Sequence, residues 1–304
     1  MPPQRTLSSA KPVLWLRNPA AKLAALPMLL VSVGVFLGFS FWTILHSFTG
    51  SRLLPNWRFV GLDQYEKLWD TPRWIASVSN IALYSAGVLL FSIVLGFLLA
   101  VLLDQKIRAE STLRTIFLYP YALSFVVIGL AWQWLLNPEL GLQHVVRSLG
   151  WQSFAFDPLY NPDIVMYAVM LAGLWHGTGF VMVIMLAGLR GIDENIWKAV
   201  KVEGIATWRV YLFIIIPMLR PVFITVTVMV LAGIVKLYDL VVALTNGGPG
   251  MASEVPAKYV VDAMFLKQNL GQGFAASTMM LLAVLLLFVP GLIFKLTLRL
   301  RRGR

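Results

Sequence analysis

The sequence predicts an all-α integral membrane protein with six transmembrane helices and a short cytoplasmic helix in the loop between spans 4 and 5. Three observations carry this reading. Of 304 residues, 59% are hydrophobic and only 13% are charged, too few charges to cover a soluble domain of this length. The apolar residues gather into six runs, each long enough to cross a hydrocarbon core of roughly 30 Å. The basic residues gather at the ends of those runs, mostly on one face.

The chain begins with a polar tail, residues 1–23, which carries Arg5, Lys11, Arg17 and Lys22 and no acid. The first run, 24–48, is much longer than the apolar part of a secretory signal and shows no small-residue cleavage site, so it reads as an uncleaved span. The remaining runs are 81–103, 113–136, 164–189, 222–244 and 276–298, followed by a tail at 299–304. Each is apolar all round, as expected of helices that face lipid and one another. Together, residues 24–298 form one membrane domain.

Orientation follows from the loops. With the N-terminus in the cytoplasm, 17 of the 25 basic residues lie on the cytoplasmic face and 7 on the other, with Lys236 inside a span. Both termini and the loop 189–221 are therefore expected in the cytoplasm. Of the outward loops, 49–80 is rich in Trp and Tyr, the composition of an interfacial belt or of a protein-docking surface. Residues 137–163 read as a folded cap. The third opens on Asn246-Gly247-Gly248-Pro249-Gly250, a turn sequence that permits positive φ and stops the fifth span.

Several function classes are excluded. A net charge of +11 without a basic patch interleaved with aromatics argues against nucleic-acid binding. Zero cysteines rule out disulfides and thiolate metal sites. His46, His144 and His176 lack ligand spacing and carboxylate partners, so a metal or acid–base site is poorly supported. No G-x-x-x-x-G-K-[ST] segment is present, so the chain lacks a P-loop nucleotide site of its own.

The loop 189–221 carries the most local information. Asp193 can cap a helix that starts at Glu194. Trp197, Val200, Lys201 and Gly204 fall on one face of it, which is expected to face the cytoplasm. Glu203-Gly204 interrupts the helix, Thr207 can cap a second one, and Pro217 and Pro221 mark its bend into the bilayer. Physically, the loop is either an amphipathic connector lying in the headgroups or a docking helix.

Within the spans, Lys236 and Asp239 are three residues apart and so share a helical face. They either neutralise each other or line a polar path, with Tyr238 supplying a ring and Asp239 a hydrogen-bond acceptor. Trp175 and His176 form a second polar pair, read either as helix packing or as part of the same path. Met166 with Met170, and Met182 with Met185, read as packing or lipid-facing surface.

This loop resembles the "EAA" loop of ABC importer permeases, whose pattern E-A-A-x-x-x-G is followed by I-x-L-P. Lys198-Ala199-Val200 stands at the E-A-A place, Gly204 at the glycine, and Ile214-Ile215-Ile216-Pro217 at the ending. Glu203 matches the acid before the glycine, whereas Lys198 replaces the family's first Glu. Phe59-Val60-Gly61-Leu62-Asp63-Gln64-Tyr65, Tyr238-Asp239 with Thr245-Asn246-Gly247-Gly248-Pro249, and Gly273-Phe274-Ala275-Ala276-Ser277 are similar to further signatures of its carbohydrate, maltose-permease-like branch. KVEGI together with KLYDLVVALTNGGPG looks most like permeases for glucose/mannose or α-glucosides.

The resemblance implies a non-enzymatic permease subunit in the cytoplasmic (inner) membrane. It would bind no cofactor itself. Its partners would be a second permease subunit, an ATPase subunit dimer holding ATP-Mg, an extracytoplasmic sugar-binding protein and membrane lipid. Trp197, Lys198, Ala199, Lys201, Glu203 and Gly204 would couple to the ATPase, and Tyr238, Asp239, Trp175 and His176 would line the sugar path. The alternative is an ion-coupled secondary transporter acting alone.

Overall fold

The computed structural model describes residues 19–105 and 107–302, with side-chain surroundings from 23 to 286. Most of the predicted tails at 1–23 and 299–304, and the second half of the run 276–298, thus lie wholly or partly outside the described side chains. The described chain is helical and contains no strand; its one β-type contact is an isolated bridge between Thr49 and Phe59.

The first run folds as α1 (Pro19–Leu29), a π-helical stretch (Leu30–Leu37) and α2 (Gly38–Ser47). Pro27 lies inside α1, where its missing N–H breaks the regular ladder, and a π-helical stretch follows directly. A short helix, α3 (Asp63–Trp69), leads into α4 (Pro72–Asp104), 33 residues long. Pro72 occupies the first turn, where no donor is lost. At 1.5 Å per residue, α4 is about 50 Å long and overshoots the hydrocarbon core. It starts at Pro72 rather than near 81 because the helix continues past the apolar run into first turns that carry Arg73, Ser77, Ser79 and Asn80.

The predicted unbroken span over 113–136 is not one helix. Here α5 (Glu110–Leu118) passes through a 3₁₀ turn (Tyr119–Ala122) into α6 (Phe125–Leu135), and the pair is bent by 101°. Pro120 interrupts the ladder, and Ser124 restarts it by accepting a hydrogen bond from the Val127 N–H at 3.3 Å. The cap at 137–163 carries α7 (Leu142–Ser148) and leads to α8 (Val165–Arg190).

Next come α9 (Glu194–Val202), α10 (Thr207–Val210) and a π-helical stretch (Tyr211–Ile215), then α11 (Ile216–Met218) and α12 (Arg220–Val235). The chain bends by 70° between the α10–α11 arm and α12, beside Pro217 and Pro221, where the sequence placed the bend. The run 222–244 is also interrupted: α12 ends at Val235 and α13 (Asp239–Leu244) starts after a three-residue break. Beyond it lie α14 (Pro256–Val261), a π-helical stretch (Asp262–Leu266) and α15 (Leu270–Arg302). Among the described residues, three helices are long and apolar enough to cross a membrane, namely Leu23–Ser47, Pro72–Asp104 and Val165–Arg190; counting each bent pair as one span gives up to five.

The centre of the bundle is the α4–α8 seam. Small residues let the two backbones approach closely: a Cβ on Gly96 would meet the Val181 side chain at 2.5 Å. Met166, Met170, Met182 and Met185 are all buried and serve as packing. One buried cluster joins this seam to α6, α12 and α13 around Ile128, Val169 and Val241. A second joins it to the 189–221 loop around Met185 and Ile215. A third ties α3, α4, α14 and α15 together at the opposite end through Leu68, Trp74, Tyr259 and Ala275.

Candidate functional site

The two helix breaks that the hydropathy pattern concealed face a common space. A cavity of about 520 Å³ lies among α4, the α5–α6 bend, α8 and the α12–α13 break, within the range of about 300–1,000 Å³ usual for small-molecule sites. Tyr84 and Ser92 reach it from α4, Tyr121 and Ser124 from the bend, and His176 from α8. Lys236, Tyr238 and Asp239 come from the break itself. Its walls are largely apolar, with Val88, Leu123, Met229, Val230 and Leu237 beside aromatic rings, and carry a few hydroxyls and charged groups. Such walls suit a polyhydroxylated ligand, whose C–H faces lie on rings and whose hydroxyls need hydrogen-bond partners.

Three of the four predicted path residues therefore meet there, and Trp175 does not. Trp175 packs edge-on against Trp132 at 6.1 Å and is absent from the cavity wall, because consecutive helical residues point about 100° apart. His176 is half-buried and lies against the Phe125 ring at 4.3 Å and the Tyr121 ring at 5.1 Å.

The expectation that Lys236 and Asp239 share one helical face fails, since the helix ends between them, and among the described residues neither forms an ion pair. Their tolerance has another source. Lys236 caps the C-terminal, partially negative end of α12, and Asp239 opens the partially positive N-terminus of α13.

The loop 189–221 forms its own unit at one end of the bundle. The Asp193 carboxylate accepts a hydrogen bond from the Asn195 N–H at 2.9 Å, the expected cap of α9. Gly204 has φ +63 and ends the helix in the left-handed region. Thr207, in contrast, is the first residue of α10 and not its cap; Ala206 holds that position with no side-chain bond.

The exposed face also differs from the one expected. Trp197 and Val200 turn inward onto the cluster around Met185 and Ile215, with the Trp197 ring 5.9 Å from Tyr211. A Trp on an amphipathic helix has far more apolar area to bury than a Lys, so it takes the bundle side. Exposed instead are Lys198, Ala199, Lys201, Val202, Glu203 and Gly204, with Val202 88% exposed. Lys198 pairs with Glu194 one turn earlier, at 3.3 Å.

Comparison with known proteins decides the family. Residues 92–301 match the model of the binding-protein-dependent transport system inner membrane component. The chain belongs to this family. It is 36% identical over 86% of its length to a probable ABC transporter permease protein of Pyrococcus horikoshii, covering 90% of that protein. It is 31% identical over 89% of its length to the xylose/arabinose import permease protein of Haloferax volcanii, covering 86% of it. Its fold superposes on a chain of a bacterial ABC transporter involved in the import of the acidic polysaccharide alginate. The TM-score is 0.77, at 19% identity over 93% of this chain and 99% of the other. The protein is thus an inner-membrane permease and not an enzyme.

In this permease, two ion clusters that sequence reading missed hold the ends of α4. Near its N-terminus, Arg73 donates to both oxygens of Glu254, at 2.9 and 3.0 Å, and also to Asp262, which Lys258 approaches at 2.7 Å. Glu254, Lys258 and Asp262 are buried. The neighbouring turn is built as the sequence predicts, with positive φ at Asn246, Gly247 and Gly250. Asn80 closes the cluster by donating to the Glu254 and Met251 carbonyls at 2.9 and 3.0 Å. At the other end of α4, Arg190 reaches Asp104 at 3.5 Å and Glu110 at 2.9 Å. Only the i,i+4 pair Lys258–Asp262 had a local signal; the other contacts join residues remote in sequence.

Proposed function

We propose that this chain is a permease subunit of an ATP-driven importer that moves a mono- or oligosaccharide by alternating access. The observation that carries the reading is the cavity at the α12–α13 break, with Tyr238, Asp239 and His176 converging on hydroxyl-bearing walls, in a family of binding-protein-dependent permeases. Relatives named for xylose/arabinose import and for alginate import support a saccharide. Others are named for sn-glycerol-3-phosphate transport. Within saccharides, the KVEGI and KLYDLVVALTNGGPG segments favour glucose/mannose or α-glucosides.

In this reading the chain makes six spans, with each bent pair counted once and α15 as the last. Both termini and the 189–221 loop are cytoplasmic. The exposed face of α9, with Lys198, Ala199, Lys201, Glu203 and Gly204, docks on one subunit of an ATPase dimer that holds ATP-Mg. A second permease completes the cavity, and an extracytoplasmic binding protein delivers the sugar. ATP closure of the dimer moves α9 and turns the cavity outward, and hydrolysis reverses the stroke.

The test is ATP-dependent uptake of radiolabelled glucose, mannose and maltose into proteoliposomes holding the complex that co-purifies with the chain. A broken helix with Asp239 at its restart is also the architecture of ion-coupled transporters, which favours the second reading, a transporter acting alone. Uptake that persists without ATP under an ion gradient would establish that alternative.

A further inference from the structure

We propose that Arg190 is the positioning residue through which movement of the 189–221 loop reaches both walls of the cavity; this rests on the coupling role given to that loop above. Arg190 is the last residue of α8, and α9 starts four residues later, so a displaced α9 pulls on it first. Its guanidinium holds two different helices. Nε faces Asp104 at 3.5 Å, the last residue of α4, and Nη2 faces Glu110 at 2.9 Å, the first residue of α5.

Each of those helices continues into the cavity. From Asp104, α4 runs back to Ser92 and Tyr84, which line it. From Glu110, α5 runs into the bend bearing Tyr121 and Ser124, which line the opposite side. At the edge of the cavity nearer the clamp, α8 rests on α5 backbone to backbone, where a Cβ on Gly179 would collide with the Phe117 carbonyl. That contact gives the motion a fulcrum.

The two ends of α4 differ in what they release. The acids of the Arg73 cluster are held inside the protein: Glu254 and Asp262 are 3% and 11% exposed, with Arg73 itself at 23%. At the Arg190 cluster, Arg190, Asp104 and Glu110 are 43%, 23% and 28% exposed. Water can replace the partners of an exposed pair at little cost, whereas opening a buried one strands charges. The clamp at Arg190 is therefore the end that changes partners during a cycle, and the Arg73 end stays fixed.

The absence of cysteine from the chain makes the test clean. Ser124→Cys gives this chain one thiol, on the cavity wall, and the alkylation rate of this subunit, resolved from its partners by gel, is followed in the assembled complex with and without ATP and vanadate. We expect ATP to change that rate in the parent. With Arg190→Gln, hydrolysis persists while the ATP-dependent change shrinks by about 2- to 30-fold, the range spanned by coupling mutations of this kind. Adding Glu110→Arg to Arg190→Glu should restore part of what Arg190→Glu loses, which a general packing defect would not allow. A full ATP response in Arg190→Gln, or no recovery in the double variant, overturns the role of Arg190. A parent complex that carries no ATPase overturns the coupling reading, and this inference with it.

Discussion

Arg73 and Glu254 lie 181 positions apart in the chain, yet one guanidinium nitrogen of Arg73 reaches both carboxylate oxygens of Glu254, at 2.9 and 3.0 Å. Removing the cation leaves Glu254 and Asp262 buried with Lys258 alone. We expect Arg73→Ala to destabilise the fold by about 3–5 kcal/mol, read as a lowered melting temperature of the purified protein in detergent. Arg73→Lys, which keeps the charge on a shorter, differently placed donor, should fall between Arg73→Ala and the parent.

Asp262 in the same cluster gives a pH dependence. Burial alone would raise its carboxyl, but hydrogen bonds from Lys258 and Arg73 outweigh it and hold it below the ordinary carboxylate range. A folded value below the unfolded one means the ionised form favours folding. Its contribution is full above the unfolded value, about 3.9, and is lost as pH falls through the lower folded value. Melting curves recorded from neutral pH into acid should fall in that window, and Asp262→Asn should make the fall shallower.

Gly204 permits a separation of strain from contact. A Cβ there would meet nothing within 4 Å, while φ is +63, so substitution costs conformation and not space. Asn tolerates this region, Ala less so, and β-branched Val least. Under the proposed coupling role, ATPase co-purification and uptake should decline in the order Asn, Ala, Val, with Ala costing about 1 kcal/mol. Equal activity across the series would remove the elbow from the mechanism.

In the cavity, Asp239→Ala should impair uptake at unchanged membrane level and unchanged ATPase association, because the carboxylate faces the cavity and makes no ion pair among the described residues. The loss should appear as a raised apparent KM for sugar, of about 10- to 150-fold for one charged hydrogen bond worth ~1.5–3 kcal/mol. Trp175→Phe, whose side chain packs on Trp132 outside the cavity, should leave KM unchanged.

Much of this was legible in the sequence, and the failures share a cause. Apolar runs announce helices, and Asp193, Gly204 and the Asn246–Gly250 turn announce local geometry through single-residue conformational preferences. The breaks after Leu118 and Val235 were averaged away, because a window that sums hydropathy does not register where the ladder stops. Pro120 and Ser124 did carry a signal for the first break, a missing donor followed by a cap. The second has no such marker beyond Lys236 and Asp239, charges that a straight span would leave uncompensated. The face of α9 was misjudged because periodicity defines a stripe but not its direction, and the apolar area of Trp197 decides that. Arg73–Glu254 and Arg190–Glu110 had no local trace at all.

The inward turn of Trp197 bears on how faithfully a push is delivered. Its ring lies against Tyr211 at 5.9 Å, within the cluster that also holds Met185 and Ile215. A lever mounted on a loose joint wastes the first part of each stroke as backlash. One keyed into the body by a large rigid ring delivers even a small displacement. If α9 is that lever, Trp197 sets the play in its mounting, and the docking face can vary in sequence while the stroke length is preserved.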